Sequence, residues 1–306
     1  AALDYGFLKD RLYGSIEYYY RKTTDLINFV PVPAGTNLTN FINTNVGDLE
    51  NRGVEFSINA VPVEKENMSW DLGFNITANK NKITRLTATD DPNYPGVYTG
   101  GISGGVGNTI QIHSVGYPAN SFYVYEQVYD ESGIPIEGLY VDRNGDGQVT
   151  PDDRYHYQKP APDLFFGFTT SYRIKNFDVA MAARANVGNY VYNNVASNLV
   201  NYSKVYHSTN YLTNILSDYA AYDFTDPRYF SDRFIENASF LKIDHITAGY
   251  QFNQALGLRG IRVYATVQNP LIISDYTGID PEIAGGIDNN FYPRPVNYLL
   301  GLNVNF

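Results

Sequence analysis

Apolar and polar side chains alternate along many segments of this chain. In the strand-like stretch that starts at Met68, the alternate residues are Met68, Trp70, Leu72, Phe74, Ile76 and Ala78, and mostly polar residues lie between them. Successive side chains of a β-strand point to opposite faces, so this spacing predicts a strand with one apolar and one polar side. The pattern recurs along the chain, and no segment shows a helical period over about a dozen residues. The sequence therefore predicts an all-β fold.

The connections between the predicted strands alternate between short and long. We expect about nine membrane-spanning strands, at roughly residues 3–8, 11–22, 50–63, 68–83, 163–174, 176–190, 235–252, 259–272 and 293–306. The long connections are 23–49, 84–162, 191–234 and 273–291. Outer-membrane barrels have short periplasmic turns and long extracellular loops, whereas the loops of soluble sandwiches are usually short. The segment Phe122–Tyr129 also resembles a strand, but a spanning strand there would reverse the direction of those that follow, so we predict that 84–162 is one extracellular segment with local strands.

Composition narrows the functional classes. The 306 residues include no Cys, which excludes disulfides and Cys-based zinc sites, and the formal net charge of -10 argues against a nucleic-acid partner. A hydrophobic fraction of 43% excludes a disordered chain, and no run approaches the roughly 18 apolar residues of a membrane helix. A closed barrel also satisfies its backbone in lipid, but a sheet with two open edges does not. We therefore expect the chain to be part of a larger barrel.

A set of longer motifs extends from one end of the chain to the other. They are LDYGFLKDRLYGSIEYYYRKTTDLI, VGDLENRGVEFSINAVPV, GLYVDRNGDGQVTPDDRYHYQKPAPDLFFGF, ASFLKIDHITAGY, VYATVQNPLIISDYTGIDPE and YPRPVNYLLGLNVNF. Together these motifs resemble the C-terminal part of SusC/RagA-type TonB-dependent outer-membrane transporters of the Bacteroidetes. The resemblance implies the C-terminal portion of an antiparallel transmembrane β-barrel of about 22 strands, with the plug domain absent from this chain. It is weakest in 84–116 and 191–234.

The same resemblance implies a function and partners. Members of this family import a large nutrient, typically an oligosaccharide and sometimes a peptide, across the outer membrane of a Gram-negative bacterium. The implied partners are the plug-bearing N-terminal portion of the same transporter, TonB acting through that plug, a SusD-like lipoprotein over the extracellular mouth, and outer-membrane lipid. The terminal Phe306 follows apolar residues at alternate positions and resembles the aromatic ending that barrel-assembly machinery reads.

An ion-binding motif interrupts the predicted connection 84–162. The stretch DRNGDGQVTPDD, residues 142–153, has the spacing of an EF-hand calcium loop, with Gly147 at the sharp turn. Closely spaced carboxylates repel one another without a cation, so a structural calcium ion would stabilise the loop. The alternative is a plain turn, since Asn-Gly and Asp-Gly are strong turn signals. The predicted ligands are Asp142, Asn144, Asp146, Gln148 and Asp153.

Catalytic chemistry is not indicated by any motif. The sequence GISGG around Ser103 fits a nucleophile elbow, but Gly-rich loop lies on both sides where that elbow needs a strand and a helix. The 4 His residues, at positions 113, 156, 207 and 245, form no i, i+4 pair that would suggest zinc. We therefore expect that the protein is not an enzyme.

Aromatic residues are frequent in the long connections, and three roles stay open for them. They could stack on sugar rings, form the aromatic girdle of a barrel, or pack against the partner lipoprotein. The set is Tyr94, Tyr98, Tyr117, Tyr202, Tyr206, Tyr211, Tyr219, Tyr222, Phe224, Tyr229, Phe291 and Tyr292. A competing interpretation of the whole chain is a soluble extracellular, calcium-stabilised β-sandwich that binds glycans. In that case the apolar strand faces would pack against a second sheet.

Overall fold

The computed structural model describes residues 1–32, 35, 38–88, 94–105, 107–205, 214–217, 223–253 and 259–305. Its strands are, in chain order, β1 (Ala2–Phe7), β2 (Leu12–Pro31), β3 (Phe41–Lys65), β4 (Met68–Arg85), β5 (Val97–Gly101), β6 (Thr109–His113), β7 (Ser121–Val124), β8 (Gln127–Tyr129), β9 (Pro135–Tyr140), β10 (Tyr155–His156), β11 (Leu164–Ile174), β12 (Phe177–Val187), β13 (Tyr190–Asn193), β14 (Ile235–Asn237), β15 (Phe240–Asn253), β16 (Gly260–Ser274), β17 (Ile287–Asp288) and β18 (Asn297–Asn305). The helical elements are α1 (Asn194–Leu199) and single 3-10 turns at Pro151–Asp153, Tyr202–Lys204, Asp232–Phe234 and Ala284–Gly286. No helix among the described residues is long and apolar enough to cross a membrane.

Nine of these strands form one antiparallel sheet, in the order β1-β2-β3-β4-β11-β12-β15-β16-β18. Each strand pairs with the next strand of the sheet along the chain, so the sheet is an up-and-down meander. Two described connections at one end of this sheet are tight, at 66–67 and 175–176. The smaller sheets β10-β7-β6-β5, β14-β13-β17 and β8-β9 all lie in the long connections at the other end. The segment 84–162 thus contains local strands that are not part of the nine-stranded sheet.

The first long hairpin differs from its expected bounds. β2 continues to Pro31 and β3 begins at Phe41, so most of the expected loop 23–49 is paired strand. The ladder shifts register between Thr23 and Ile27, and alternation then resumes in the opposite phase. Because of this change of phase, a prediction based on one continuous period-2 pattern ends the strand too early.

The second difference concerns the segment before β15. Residues 235–237 were expected to begin a spanning strand, but they form the separate strand β14, which pairs with β13. The spanning strand β15 begins at Phe240. Ala238 and Ser239 separate the two strands, and the Ser239 hydroxyl accepts a hydrogen bond from the Gly188 N–H at 2.9 Å.

The pairing register gathers the alternating apolar residues onto one face of the nine-stranded sheet. Directly opposed residues on five neighbouring strands form the row Ile16, Phe56, Ile76, Phe166 and Ala185. A second row continues across the later strands as Val179, Ala248, Ala265 and Leu300. We call this continuous apolar face the outer band.

The outer band is not the hydrophobic core of the protein. Leu300 is 87% exposed, and Phe74 and Phe166 are only half-buried. The main buried cluster of the described residues lies in the long connections and consists of Ile110, Phe122, Val124, Tyr192, Phe234, Ile235 and Ile287. The sandwich interpretation, which requires the strand faces to pack against a second sheet, is therefore wrong.

Two tyrosines on the opposite, polar face lie across glycines of the neighbouring strand. Tyr19 is directly opposite Gly53, and Tyr264 is directly opposite Gly301. A Cβ atom added to Gly301 would lie 2.1 Å from the ring of Tyr264. These glycines are needed because the tyrosine rings occupy the space of the missing side chains.

Candidate functional site

The polar face of the large sheet forms a hydrophilic wall. One row of opposed residues across six strands reads Ser15, Ser57, Asn75, Gly167, Arg184 and Lys242. The hydroxyl oxygens of Ser15 and Ser57 are 2.9 Å apart. In a membrane barrel the apolar side faces lipid and the polar side lines the interior, so this wall is the candidate surface of a water-filled passage.

A cluster of charges ties the segment 280–294 to this wall. The Arg184 guanidinium lies 3.0 Å from Asp244 Oδ1 and 2.9 Å from a carboxylate oxygen of Glu282. The same Glu282 carboxylate lies 3.4 Å from Lys242 Nζ and also pairs with Arg294. Because Lys242 is almost fully buried, its charge depends on this carboxylate for compensation.

A β-bulge in β15 positions Asp244, one of the two acidic residues of this cluster. In the ladder between β12 and β15, Ala183 pairs with Ile243 and Ala182 pairs with His245, which leaves Asp244 as an extra residue. Bulges re-aim side chains in this way. The sequence analysis did not identify this site, although two adjacent polar residues, Asp244 and His245, interrupt an otherwise regular alternation.

The predicted calcium loop is a compact turn held by its own backbone. Asp142 accepts hydrogen bonds from the N–H groups of Gly145 and Gly147, both at 2.7 Å. Asn144 Oδ1 accepts from Asp146 N–H at 2.9 Å. Asp146 Oδ1 in turn accepts from the N–H of Gln148 at 2.8 Å. The side chains at loop positions 1, 3 and 5 are therefore ordered by the turn itself.

Asp153 closes the loop from inside the protein. Its buried carboxylate accepts hydrogen bonds from the N–H groups of Thr150, Arg143 and Asn144 at 2.7, 2.9 and 3.2 Å. These backbone bonds, with that from Thr150 the strongest, hold the pKa of Asp153 below its ordinary value of 3.8. Asp153 also forms a reciprocal capping box with Thr150 at the 3-10 turn.

The geometry leaves the calcium assignment a prediction. Within the described residues, no three acidic or histidine side chains converge as a metal site requires. A carboxylate or amide oxygen that accepts one N–H keeps a second lone pair, so Asp142, Asn144 and Asp146 retain the capacity to bind a cation. Gln148, at position 7, would contribute its backbone carbonyl.

The Ser103 hydroxyl has no catalytic partner among the described residues. It accepts hydrogen bonds from the side-chain amides of Asn194 and Asn198 at 2.6 and 3.1 Å. Neither amide is a general base, so the GISGG segment lacks the base that a nucleophile needs. This contact instead joins the loop at 101–105 to α1.

The histidines lie apart from one another. His113 Nε2 is 2.9 Å from Asn120 Oδ1, and His156 stacks on Tyr117. His245 lies on the polar wall, opposite Gln268. His207 is outside the described residues.

The structure separates the loop aromatics into different environments. Phe224 is buried, whereas Phe291 and Tyr292 are exposed. Tyr98 and Tyr117 lie at the two ends of a series of ring contacts that runs through Tyr123 and His156. Tyr206, Tyr211, Tyr219 and Tyr222 lie outside the described residues, as does the predicted assembly signal Phe306. Residues in the connections also line a cavity of about 400 Å³, among them Asn193, Ile279, Asp288, Asn290 and Phe291.

One wall that is apolar outside and polar inside, joined by tight turns at one end and long connections at the other, defines part of a transmembrane β-barrel. Solved structures share this fold. The RagAB peptide transporter matches 100% of this chain and 34% of the solved chain, with a TM-score of 0.77 and 24% identity. The same importer in its "open-open" state matches with a TM-score of 0.76.

Sequence identity to curated relatives is higher than the identity to these solved structures. The chain is 49% identical over its whole length to the TonB-dependent receptor SusC of Bacteroides thetaiotaomicron, of which it covers 31%. It is 30% and 31% identical to the TonB-dependent receptors P3 and P26 of Formosa agariphila, of which it covers 33% and 34%. No protein-family model matches the chain.

The chain is therefore a SusC-like barrel segment, as its motifs led us to expect. It spans about a third of the length of the curated relatives that it matches. The similarity confirms the expected all-β barrel fold and the outer-membrane location. Because the relatives are receptors and transporters, it also confirms the expectation that the chain is not an enzyme.

Proposed function

We propose that this chain is the C-terminal part of the barrel of a TonB-dependent outer-membrane transporter that imports a large nutrient. The outer band over nine contiguous strands carries the proposal, because an exposed apolar face opposite a hydrophilic wall suits lipid on one side and water on the other. The sheet leaves β1 and β18 as edges. Such edges cannot face lipid unpaired, so the remaining strands would come from the rest of the transporter.

The proposed partners follow from the same assignment. A plug-bearing N-terminal portion would fill the lumen, TonB would act on that plug, and a SusD-like lipoprotein would cap the mouth. The 49% identity to a TonB-dependent receptor supports this arrangement. Purification of the tagged chain from native outer membrane, followed by mass spectrometry, should recover a plug-bearing polypeptide and a lipoprotein. Recovery of a soluble monomer instead would rule the arrangement out.

We favour an oligosaccharide as the cargo over a peptide. The solved peptide transporter RagAB is only 24% identical to the chain, so that match supports the fold and does not indicate a peptide cargo. The long connections of the chain present half-exposed tyrosines, which suit the alternating apolar faces and hydroxyl edges of sugar rings. Cells with and without the transporter gene should differ in uptake of one labelled oligosaccharide from a neutral panel, and not in uptake of mixed oligopeptides. The reverse result would assign a peptide cargo.

We further propose that calcium binds residues 142–153 and stabilises this part of the extracellular segment. The ordered oxygens of Asp142, Asn144 and Asp146 support the proposal, and the millimolar affinity typical of extracellular modules would suffice. Hydrogen exchange of the loop in the whole transporter should slow when calcium replaces a chelator. Asp142→Asn should abolish that difference, and the exposed neighbour Asp152→Asn should not. Equal exchange with calcium and with chelator in the unmodified protein would show that the loop is a plain turn.

A further inference from the structure

Four aromatic rings from separate parts of the connection 84–162 form one continuous cluster. His156 stacks on Tyr117, with ring centres 3.6 Å apart and planes 7° from parallel. Tyr123 lies 5.2 Å from His156, and Tyr98 lies 6.1 Å from Tyr123. Tyr98, Tyr123 and His156 belong to three strands of the four-stranded sheet β10-β7-β6-β5. We call this cluster the aromatic platform.

The aromatic platform is anchored to the polar side of the barrel wall. Tyr117 shares backbone hydrogen bonding with the end of β4, because its carbonyl accepts from the Ile83 N–H at 2.9 Å. The Asn81 side chain, which has the phase of the polar face of β4, accepts a bond from the Ala119 N–H at 2.9 Å. The segment that carries Tyr117 therefore packs over the interior side of the sheet rather than over the outer band.

Two rings of the platform are exposed, and its three tyrosine hydroxyls retain hydrogen-bonding capacity. Tyr98 is 46% exposed and Tyr117 is 43% exposed. Among the described residues, no side chain or backbone group hydrogen-bonds to the hydroxyl of Tyr98, Tyr117 or Tyr123. A surface that offers ring faces together with free hydroxyls can pack on the apolar face of a sugar ring and bond its edge.

The charges that act on Tyr123, those of Arg154 and Asp152, are of opposite sign. Burial lowers the pKa of His156, which keeps the imidazole neutral, and burial also raises the pKa of the Tyr123 hydroxyl. Uncharged rings provide little attraction for charged peptide termini or acidic side chains. The platform is suited to a neutral ligand with flat apolar faces.

We infer that Tyr98, Tyr117, Tyr123 and His156 form a binding subsite for a neutral pyranose unit of the transported oligosaccharide, on the interior side of the barrel mouth. The inference rests on the proposed import of an oligosaccharide and adds the position and the residues that hold it. The exposed rings of Tyr98 and Tyr117, at the two ends of the platform, contact the oligosaccharide directly. His156 acts as a positioning residue, because its stack on Tyr117 fixes the plane of that ring.

The test uses the whole transporter with its lipoprotein in detergent. Calorimetric titration with a panel of neutral gluco-, manno- and xylo-oligosaccharides first identifies one that the unmodified protein binds. Tyr98→Ala and Tyr117→Ala should each raise its Kd about three- to tenfold, since an aromatic contact has roughly that effect on affinity. Tyr117→Phe, which keeps the stacked ring, should raise the Kd less than Tyr117→Ala. Tyr129→Ala is the matched control, because Tyr129 is 47% exposed and lies outside the platform.

Each outcome has a separate meaning. If the unmodified protein binds oligopeptides but no oligosaccharide, the proposed cargo fails and the subsite fails with it. If an oligosaccharide binds and the platform variants match Tyr129→Ala, the subsite alone is wrong. Loss of the lipoprotein from the variants, with oligosaccharide affinity unchanged, would identify the platform as a protein interface and also overturn the inference. Heat-modified migration on gels confirms in every case that the barrel is folded.

Discussion

The assignment of the outer band to lipid can be tested by placing one charge at different depths along β11. Phe168 lies on the outer band, opposite Phe74 on one neighbouring strand and Ala183 on the other. Thr169, the next residue, is on the polar face and is the middle residue of this 11-residue strand. Phe168→Arg and Thr169→Arg therefore introduce the same charge about 3 Å apart along the strand, on opposite faces.

The expected energies follow from the position of each residue in the bilayer. A strand of 11 residues tilted about 45° spans roughly 25 Å, which is the height of the apolar band of an outer-membrane barrel. Phe168 then lies near the midplane, where an arginine costs about 2–4 kcal/mol. Leu164 is the first residue of β11 and lies near the interface, so Leu164→Arg costs about 0–1 kcal/mol. Thr169→Arg faces water and should cost little.

The measurement is the folded fraction of the whole transporter in liposomes across a urea series, read from heat-modified migration. The expected order of destabilisation is Phe168→Arg first, then Leu164→Arg, then Thr169→Arg. Phe168→Ala separates the loss of the phenyl ring from the effect of the charge. Equal destabilisation by Phe168→Arg and Thr169→Arg would contradict the assignment of faces, and so would a greater effect of Thr169→Arg.

Four further predictions concern the connections and the interior. Asp153→Ala removes the acceptor of three backbone N–H groups, so hydrogen exchange across 142–153 should accelerate about tenfold or more, whereas the exposed Asp152→Ala should leave it unchanged. Because the pKa of Asp153 is lowered on folding, its stabilising effect should persist at neutral pH and disappear as the pH falls through that pKa, below 3.8; a loop whose exchange protection is lost well above pH 3.8 would contradict this. Glu282→Gln removes the charge that compensates buried Lys242, and peptides from 280–294 should exchange faster; unchanged exchange there would show that the ion pairs do not hold the segment. Gly301→Ala places a methyl group against the Tyr264 ring and should lower the yield of folded barrel, a result that normal yield would refute.

The strands of the barrel were predictable because their signal is local. The spans assigned to β4, β11 and β12 agree with the structure to within a few residues, since period-2 alternation and tight turns specify both face and ends. The extension of β2 and β3 beyond the membrane was missed. At the register shift after Thr23, the outward-facing residues change from even to odd positions. A prediction that assumes the same alternation throughout the strand therefore ends at Thr23.

The candidate sites were predictable only in part. The loop 142–153 could be predicted because its polar side chains and glycines are contiguous in the sequence. The structure adds that backbone N–H groups of the same loop hold Asp153. The charge cluster around Glu282 could not be predicted from the sequence, because its residues come from β12, β15 and the connection after β16. The rings of the aromatic platform could be named as candidates for sugar contact, but their adjacency could not be derived from spacing.

The sequence by itself determined which residues alternate, where short turns occur, and that the chain contains nine spans of one barrel wall. The alternation and the turns depend only on residues that are close together in the sequence, so the sequence of each strand is enough to predict them. Only the tertiary structure decided which distant residues share a surface, because strand register and the folding of long connections bring Tyr98, Tyr117 and His156 together across nearly sixty residues. Contacts of that kind depend on the pairing of separate strands, and no local pattern specifies them.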